Sequence, residues 1–333
     1  ESITVLGESA LSGTESLSTI QLPTTLTTIG ESAFSYCTQL SSITIPEGVR
    51  EIGLGAFYGC KALATVQLPA TLTTIGESAF ADCTQLSSIT IPEGVQEIGW
   101  NAFHGCKALA TVQLPSTLTT LEGRTFSYCT QLSSITVPGG VAYVGGSTFK
   151  GCTQLHTVIL QEGVQEIGQG AFAGCTKLKN VTVPSSMQRF DFGVFENCTA
   201  LEEITLPDTM SVIMPYCFRN CTSLTRMVYP RGVDGIGYEA FAGCTSLKEI
   251  VLHDGIIEIF ERAFMDCTSL TEITIPTYCY TIDRMDGIFR GCTSLENIYV
   301  SPESYFYRSV DGVLYDVYWE DDDWTVVAED GLP

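Results

Sequence analysis

From Leu40 the chain alternates, with Ile43 and Ile45 apolar, Ser42 and Thr44 polar, and Pro46-Glu47-Gly48 following. A period of two predicts a short strand with one buried face, ended by a proline that cannot donate to a ladder. Glu47-Gly48 supplies turn chemistry, Val49 to Ile52 can extend again, Gly53 permits a bend, and Ala56-Phe57 packs a third corner. The apolar positions of this unit are Cys37, Leu40, Ile43, Ile45, Val49, Ile52, Ala56 and Phe57. At Cys60 the pattern begins again.

The recurrence decides the architecture. Phe-x-x-Cys occurs twelve times, and eleven of its cysteines, from Cys37 to Cys267, keep a strict spacing of 23 residues; Cys292 follows a two-residue insertion. A leucine column runs from Leu17 to Leu295 and a phenylalanine column from Phe34 to Phe289 at the same interval. A degenerate first unit holds Leu11, with Thr14 at the cysteine position, and counting by leucine gives thirteen units. A period of about 20–29 residues means a solenoid, in which each unit buries its apolar side chains against its neighbours. The stacked phenylalanines are the largest burial term per turn, each ring worth about 1.5–3 kcal/mol. Residues 28–73 and 74–119 are also near-copies of 46 residues, so the array grew by copying pairs of units.

The expected organisation is one solenoid over residues 1–300 and a C-terminal capping hairpin over 301–333. Residues 309–315 read as a short strand, 320–323 as an acidic turn and 324–327 as a return strand, together covering the last exposed layer. The chain opens at Glu1 part-way through a repeat, as a fragment or a mature segment would.

Charge narrows the partners. The net charge is −22: residues 1–308 carry 30 acids against 16 bases, and residues 309–333 carry eight acids and no base. Such a surface repels phosphate backbones and anionic membrane surfaces, which argues against nucleic acid. No apolar run approaches about 18 residues, so direct membrane insertion is not expected.

Fourteen cysteines raise disulfides and metals, but there is no C-x-x-C pair, and the closest two are Cys217 and Cys221. Stacked turns bring equivalent cysteines to about one inter-strand spacing, ~5 Å, so bridges are conceivable, yet linking units already in register adds little. The favoured reading is a buried column of small apolar thiols. Cys217 fits it by replacing the alanine of Ala-Phe, and Cys279 by replacing the valine after the strand proline. His104, His156 and His253 lie in different units without recurring partners. No cofactor, metal or nucleophile motif stands out, so an enzyme is not expected. The carboxylates of Asp316, Glu320, Asp321, Asp322 and Asp323 could face Ca²⁺ but lack the spacing of a known loop, and a solvated turn is favoured. Asn180, Asn197 and Asn220 head formal glycosylation sequons that the repeat itself generates.

The unit Leu-x-x-Ile-x-Ile-Pro-x-x-Val-x-x-Ile-Gly-x-x-Ala-Phe-x-x-Cys resembles the BspA-like, or Treponema pallidum-type, leucine-rich repeat over residues 5–300. It departs from the commoner leucine-rich consensus in having proline, rather than Asn or Cys, after the strand. Asp311-Gly-Val-Leu-Tyr315 also looks like the hairpin that often closes such arrays. The resemblance implies a leucine-rich repeat solenoid, right-handed and curved, with a parallel sheet on its concave face and little regular helix. Members are largely surface-exposed or secreted proteins of host-associated bacteria and some protists, several of them linked to adhesion or matrix-protein binding.

Function is then sought on the exposed strand positions. The column beginning Ser42, Thr65, Ser88 and its neighbour beginning Thr44, Gln67, Thr90 start as a neutral hydroxyl and amide ribbon. Towards residues 200–300 they gain charge and large apolar groups: Glu203, Thr205, Arg226, Val228, Glu249, Val251, Glu272, Thr274, Asn297 and Tyr299. These ten are the candidate ligand-binding residues. Trp100 and His104, in the columns of Leu54 and Tyr58, are weighed as interface anchors against plain edge packing. The expectation is a monomeric, non-enzymatic cell-surface or secreted adhesion protein that binds a protein or glycan on a host or neighbouring cell. The alternative is a spacer that displays another domain of a larger surface protein.

Overall fold

The structure, a computed structural model, describes residues 3–282, 287–320 and 323–327. The chain divides into two compact units, residues 1–186 and 187–333. Both are runs of one turn type, a parallel β-solenoid of about thirteen turns in all, and no α-helix occurs among the described residues.

Most turns carry two short strands. The first is the alternating segment: Ser42–Thr44 pairs in parallel with Thr65–Gln67, setting Ser42 against Thr65, Ile43 against Val66 and Thr44 against Gln67. Ser134–Val137, Thr157–Leu160 and Asn180–Thr182 continue the same register as a three-stranded ladder. The second strand is two residues long and contributes one buried side chain, as in Glu51–Ile52 and Thr74–Ile75. In residues 1–186 this row forms a continuous parallel ladder from Val5–Leu6 to Glu166–Ile167. In residues 187–333 the pairs are Arg226–Val228 with Glu249–Val251 and Glu272–Ile275 with Asn297–Val300 in the first row. The second row has Arg189–Phe190 with Val212–Ile213, and Gly235–Ile236, Glu258–Ile259 and Thr281–Ile282 together. Glu272 faces Asn297, so the two-residue insertion is absorbed outside the ladder.

The core follows the apolar columns. Within residues 1–186, Phe34, Phe57, Phe80, Phe103, Phe126, Phe149 and Phe172 are fully buried and stacked, with centroids 5.1–5.7 Å apart and planes within 7°. The cysteines are buried beside them, as the spacing predicts, and their thiols are hydrogen-bonded. Cys60 Sγ donates to the Phe34 carbonyl at 3.0 Å and Cys83 to Phe57 at 3.2 Å, and the pattern repeats to Cys267 on Phe241. A thiol is small enough for this corner and still satisfies a carbonyl facing the core, which alanine could not do.

The third corner is more ordered than its sequence suggests. Ser32, Phe34 and Tyr36 donate their N–H groups to the carbonyls of Leu54, Ala56 and Tyr58 in the next turn, a ladder between turns without strand geometry. To make it, Ser32 and Tyr36 take left-handed φ values of 52° and 58°. The recurring glycine after the second strand has another purpose. A Cβ on Gly76 would lie 2.6 Å from the Ile52 carbonyl oxygen, so Gly76 is there because the turns touch, rather than to make the bend expected of it.

At the C-terminus the structure corrects the strand expected at 309–315. Tyr307–Val310 and Val313–Glu320 are separate antiparallel strands joined by Asp311-Gly312, both residues in left-handed conformation (φ 51° and 83°). An Asp-Gly pair with two positive φ values is the two-residue hairpin turn that matches strand twist, so the break falls where a continuous strand was read. Val313–Glu320 then pairs with Asp323–Val327. The hairpin is tied to the solenoid: Ile298 N–H bonds to the Gly312 carbonyl at 3.0 Å, the Ser309 hydroxyl donates to the Ile298 carbonyl, and Tyr307 and Leu314 are buried. Of the acidic residues considered for Ca²⁺, Asp321 and Asp322 lie outside the described residues, while Asp316 and Glu320 stand on the strand Val313–Glu320 and Asp323 on its partner.

Candidate functional site

Eight of the ten candidate residues stand on the first-row strands of residues 187–333. Arg226 is opposite Glu249 and Val228 opposite Val251; Glu272 is opposite Asn297 and Thr274 opposite Tyr299. The alternation that buries Met227, Ile250, Ile273 and Ile298 turns these partners outward. Val228, Val251 and Tyr299 are 49%, 40% and 46% exposed, large apolar groups among the charged side chains of Arg226, Glu249 and Glu272. Glu203 and Thr205 differ from expectation. Residues 201–207 form no strand, although Glu203 and Thr205 are exposed while Ile204 and Leu206 are buried. Their facing is set by burial of alternate side chains and not by a ladder.

Arg226 Nε lies 3.0 Å from Glu249 Oε2, with both side chains 55% exposed. Such a pair is worth less than about 1 kcal/mol, so a partner can displace either member at small cost. The face therefore combines exposed apolar contacts with a charge pair held ready, and with further carboxylates at Glu203 and Glu272. That chemistry suits recognition. Among the described residues no group of three or more His, Cys, Asp or Glu side chains could hold a metal ion. The histidines are taken up locally: His253 Nε2 is 3.0 Å from the Pro230 carbonyl and His156 Nδ1 is 3.3 Å from the Gln154 carbonyl.

His104 is less of a surface substitution than its sequence suggests. Its ring meets Tyr128 edge-on at 5.7 Å, and burial pushes its pKa down. Trp100 is 41% exposed under the guanidinium of Arg124, 5.8 Å from the ring centroid. Tyr36 and Tyr58 meet edge-on at 5.3 Å a few turns away. Trp100 and His104 thus belong to an aromatic edge that includes Tyr58 and two tyrosines outside those columns, Tyr36 and Tyr128. The signal was available, because Tyr36 and Tyr128 occupy the position before the cysteine, where small residues usually stand.

Four overlapping stretches, residues 4–133, 73–201, 122–241 and 192–309, match the BspA type leucine rich repeat region, a unit of six copies. The chain belongs to the BspA-type leucine-rich repeat family. Among solved structures, this BspA-type chain is similar to a leucine-rich repeat protein from Bacteroides ovatus. The identity is 32% over 89% of this chain and 82% of that one, with a TM-score of 0.78. The Treponema pallidum leucine-rich repeat protein shows 31% identity over 55% of this chain and 75% of its own, with a TM-score of 0.40. The pneumococcal vaccine antigen PcpA shows 21% identity over 90% of this chain and 68% of its own, with a TM-score of 0.52. No curated protein matches the chain. The leucine-rich repeat solenoid is typically a non-enzymatic binding scaffold, and no helix among the described residues is long and apolar enough to cross a membrane.

Proposed function

We propose that this BspA-type protein is a monomeric cell-surface or secreted recognition protein. It binds a protein or glycan of a host or neighbouring cell through the first-row strand face between residues 203 and 299. The observation that supports this most is the register of Val228, Val251 and Tyr299 beside the exposed Arg226–Glu249 pair. Exposed aromatic and apolar groups next to a displaceable arginine are what interface centres are made of. The regular solenoid holds them fixed, so little ordering entropy is spent on binding.

The test is an array of extracellular-matrix proteins and mucin-type glycans probed with wild type and with a triple variant, Arg226→Ala, Val228→Thr and Tyr299→Thr. All three positions are exposed, so the variant is expected to keep its unfolding midpoint and to lose capture by about tenfold or more. Full capture of the same ligand by the variant sinks the assignment to this face. Light scattering with and without the captured ligand checks the monomer.

A further inference from the structure

A second concavity interrupts the other strand row of residues 187–333. It encloses about 320 Å³. Val212, Pro215, Tyr238 and Phe260 form its apolar walls, and Asp234 and Glu258 line it with carboxylates. Three departures from the repeat converge there. Met214 and Phe260 occupy the position that is glycine at Gly30, Gly53, Gly76, Gly99 and Gly237, and so raise apolar side chains on either side. Between them Gly235 opens a two-residue strand whose first position carries a side chain in every other turn, from Glu51 and Thr74 to Val212 and Glu258.

Gly235 is the informative residue, since the fold does not require a glycine there. A Cβ on it would meet nothing closer than the Glu258 carbonyl oxygen at 3.7 Å, an ordinary contact. Its φ is not among the left-handed values. Gly237, by contrast, would put a Cβ 2.9 Å from the Pro215 nitrogen. Glycine within a strand is less stable than alanine, because its backbone loses more freedom on folding, so at residue 235 it loses stability and gains only space.

We infer that this space is a pocket for the arginine side chain of an extended basic peptide segment of a partner protein. The walls accept the apolar stem. Tyr238 and Phe260 offer ring faces and edges to a flat guanidinium, and the two carboxylates accept its N–H groups. Among the described residues no cation lines the pocket. Arg262 borders the wall and is already paired, donating to the hydroxyl of the lining residue Tyr238 at 2.9 Å and pairing with Glu261 at 3.2 Å. The Tyr280 hydroxyl donates to Glu258 at 3.3 Å and helps to fix that carboxylate. Charge complementarity decides the class of partner, because residues 187–333 hold 25 acidic side chains against nine basic ones. A pocket of this size with apolar walls and few polar groups is the usual form of a site for one anchoring group.

The experiment uses fluorescence anisotropy with a labelled synthetic peptide alternating glycine with arginine, and the same peptide carrying neutral citrulline. Wild type is expected to bind the arginine peptide saturably and the citrulline peptide about tenfold or more weakly, as loss of charge-assisted hydrogen bonds implies. Gly235→Val copies the residue found one turn earlier at Val212 and changes no charge. It is expected to weaken arginine-peptide binding by a similar factor while its urea midpoint stays the same or rises. The pair Asp234→Asn with Glu258→Gln is expected to weaken it equally without filling the pocket. Undiminished binding by Gly235→Val or by that pair overturns the proposal, as does an absence of saturable binding to wild type. The triple variant at Arg226, Val228 and Tyr299 is expected to bind the peptide as wild type does. Loss there would move the arginine site to the other face and refute the pocket, whatever becomes of the sheet-face reading.

Discussion

Buried thiols make the stability of this protein sensitive to alkali. In residues 1–186, Cys60, Cys83, Cys106, Cys129 and Cys152 all have raised pKa values because burial penalises the thiolate, and Cys60 and Cys152 are pushed up to about 12. A thiol whose folded pKa exceeds its unfolded one contributes stability that is fully present below the unfolded value. That contribution is lost as pH rises towards the folded value. With an unfolded pKa of about 8.5, each such cysteine costs about 1.4 kcal/mol at about pH 9.5, or about 7 kcal/mol for the five. A whole domain is stable by only about 5–15 kcal/mol, so the unit is expected to lose most of its margin between pH 7 and 9.5, before lysine and most tyrosines titrate. Urea unfolding followed by circular dichroism at both pH values, with reductant present, measures the loss. Cys106→Ala is the control. Whatever the substitution costs at neutral pH, the gap between variant and wild type should shrink by about 1.4 kcal/mol at about pH 9.5. A urea midpoint that does not move with pH, or a constant gap, refutes the claim that the fold holds these thiols neutral.

Two further outcomes follow from the core and the third corner. Phe103 is fully buried between Phe80 and Phe126, each 5.3 Å away, and Phe103→Ala should cost about 3–5 kcal/mol in urea unfolding. A Cβ on Gly151, whose φ is 72°, would meet the Tyr128 ring at 2.7 Å, so Gly151→Ala should destabilise by about 1–2 kcal/mol from the left-handed backbone alone. Tyr128→Gly should restore part of that loss, and a double-mutant coupling below about 0.5 kcal/mol would show that the ring and the glycine are independent.

The fold was legible because its rules repeat. Ile43 and Ile45 announce the first strand, Pro46 its end, and the spacing from Phe34 to Phe57 the stack; each statement is made about twelve times, so noise in one turn is corrected by the next. What escaped was the backbone between the turns. Nothing in Ser32 or Tyr36 as residues announces left-handed φ values or a ladder at the third corner, since serine and tyrosine do not favour that region. At Asp311-Gly312 the resemblance points to a hairpin while the alternation around it reads straight through as one strand, and the structure has the hairpin turn.

The 46-residue period shows how such hidden geometry reaches the sequence. Before the cysteine, a larger residue is followed one turn later by glycine in five pairs, Tyr36 and Gly59, Asp82 and Gly105, Tyr128 and Gly151, Asn220 and Gly243, Asp266 and Gly291, while Gly174 and Asn197 break the alternation. All ten are left-handed, so each large side chain leans over the next turn, into the place where that turn's Cβ would be; the Tyr36 ring would come within 2.9 Å of a Cβ on Gly59. In these five pairs the large residue faces glycine in the next turn, whereas Asn197 is followed by Asn220, whose Nδ2 donates to Asn197 Oδ1 at 2.9 Å; a copied pair of turns keeps the match of large residue and glycine. Copying explains the near-identity of residues 28–73 and 74–119, and a two-turn copy preserves the match of Tyr36 with Gly59 and of Asp82 with Gly105. The same logic separates fold from site. Gly59 and Gly76 are glycines that packing compels, whereas Gly235 is one that packing would let go, and only knowledge of where each Cβ would fall tells them apart.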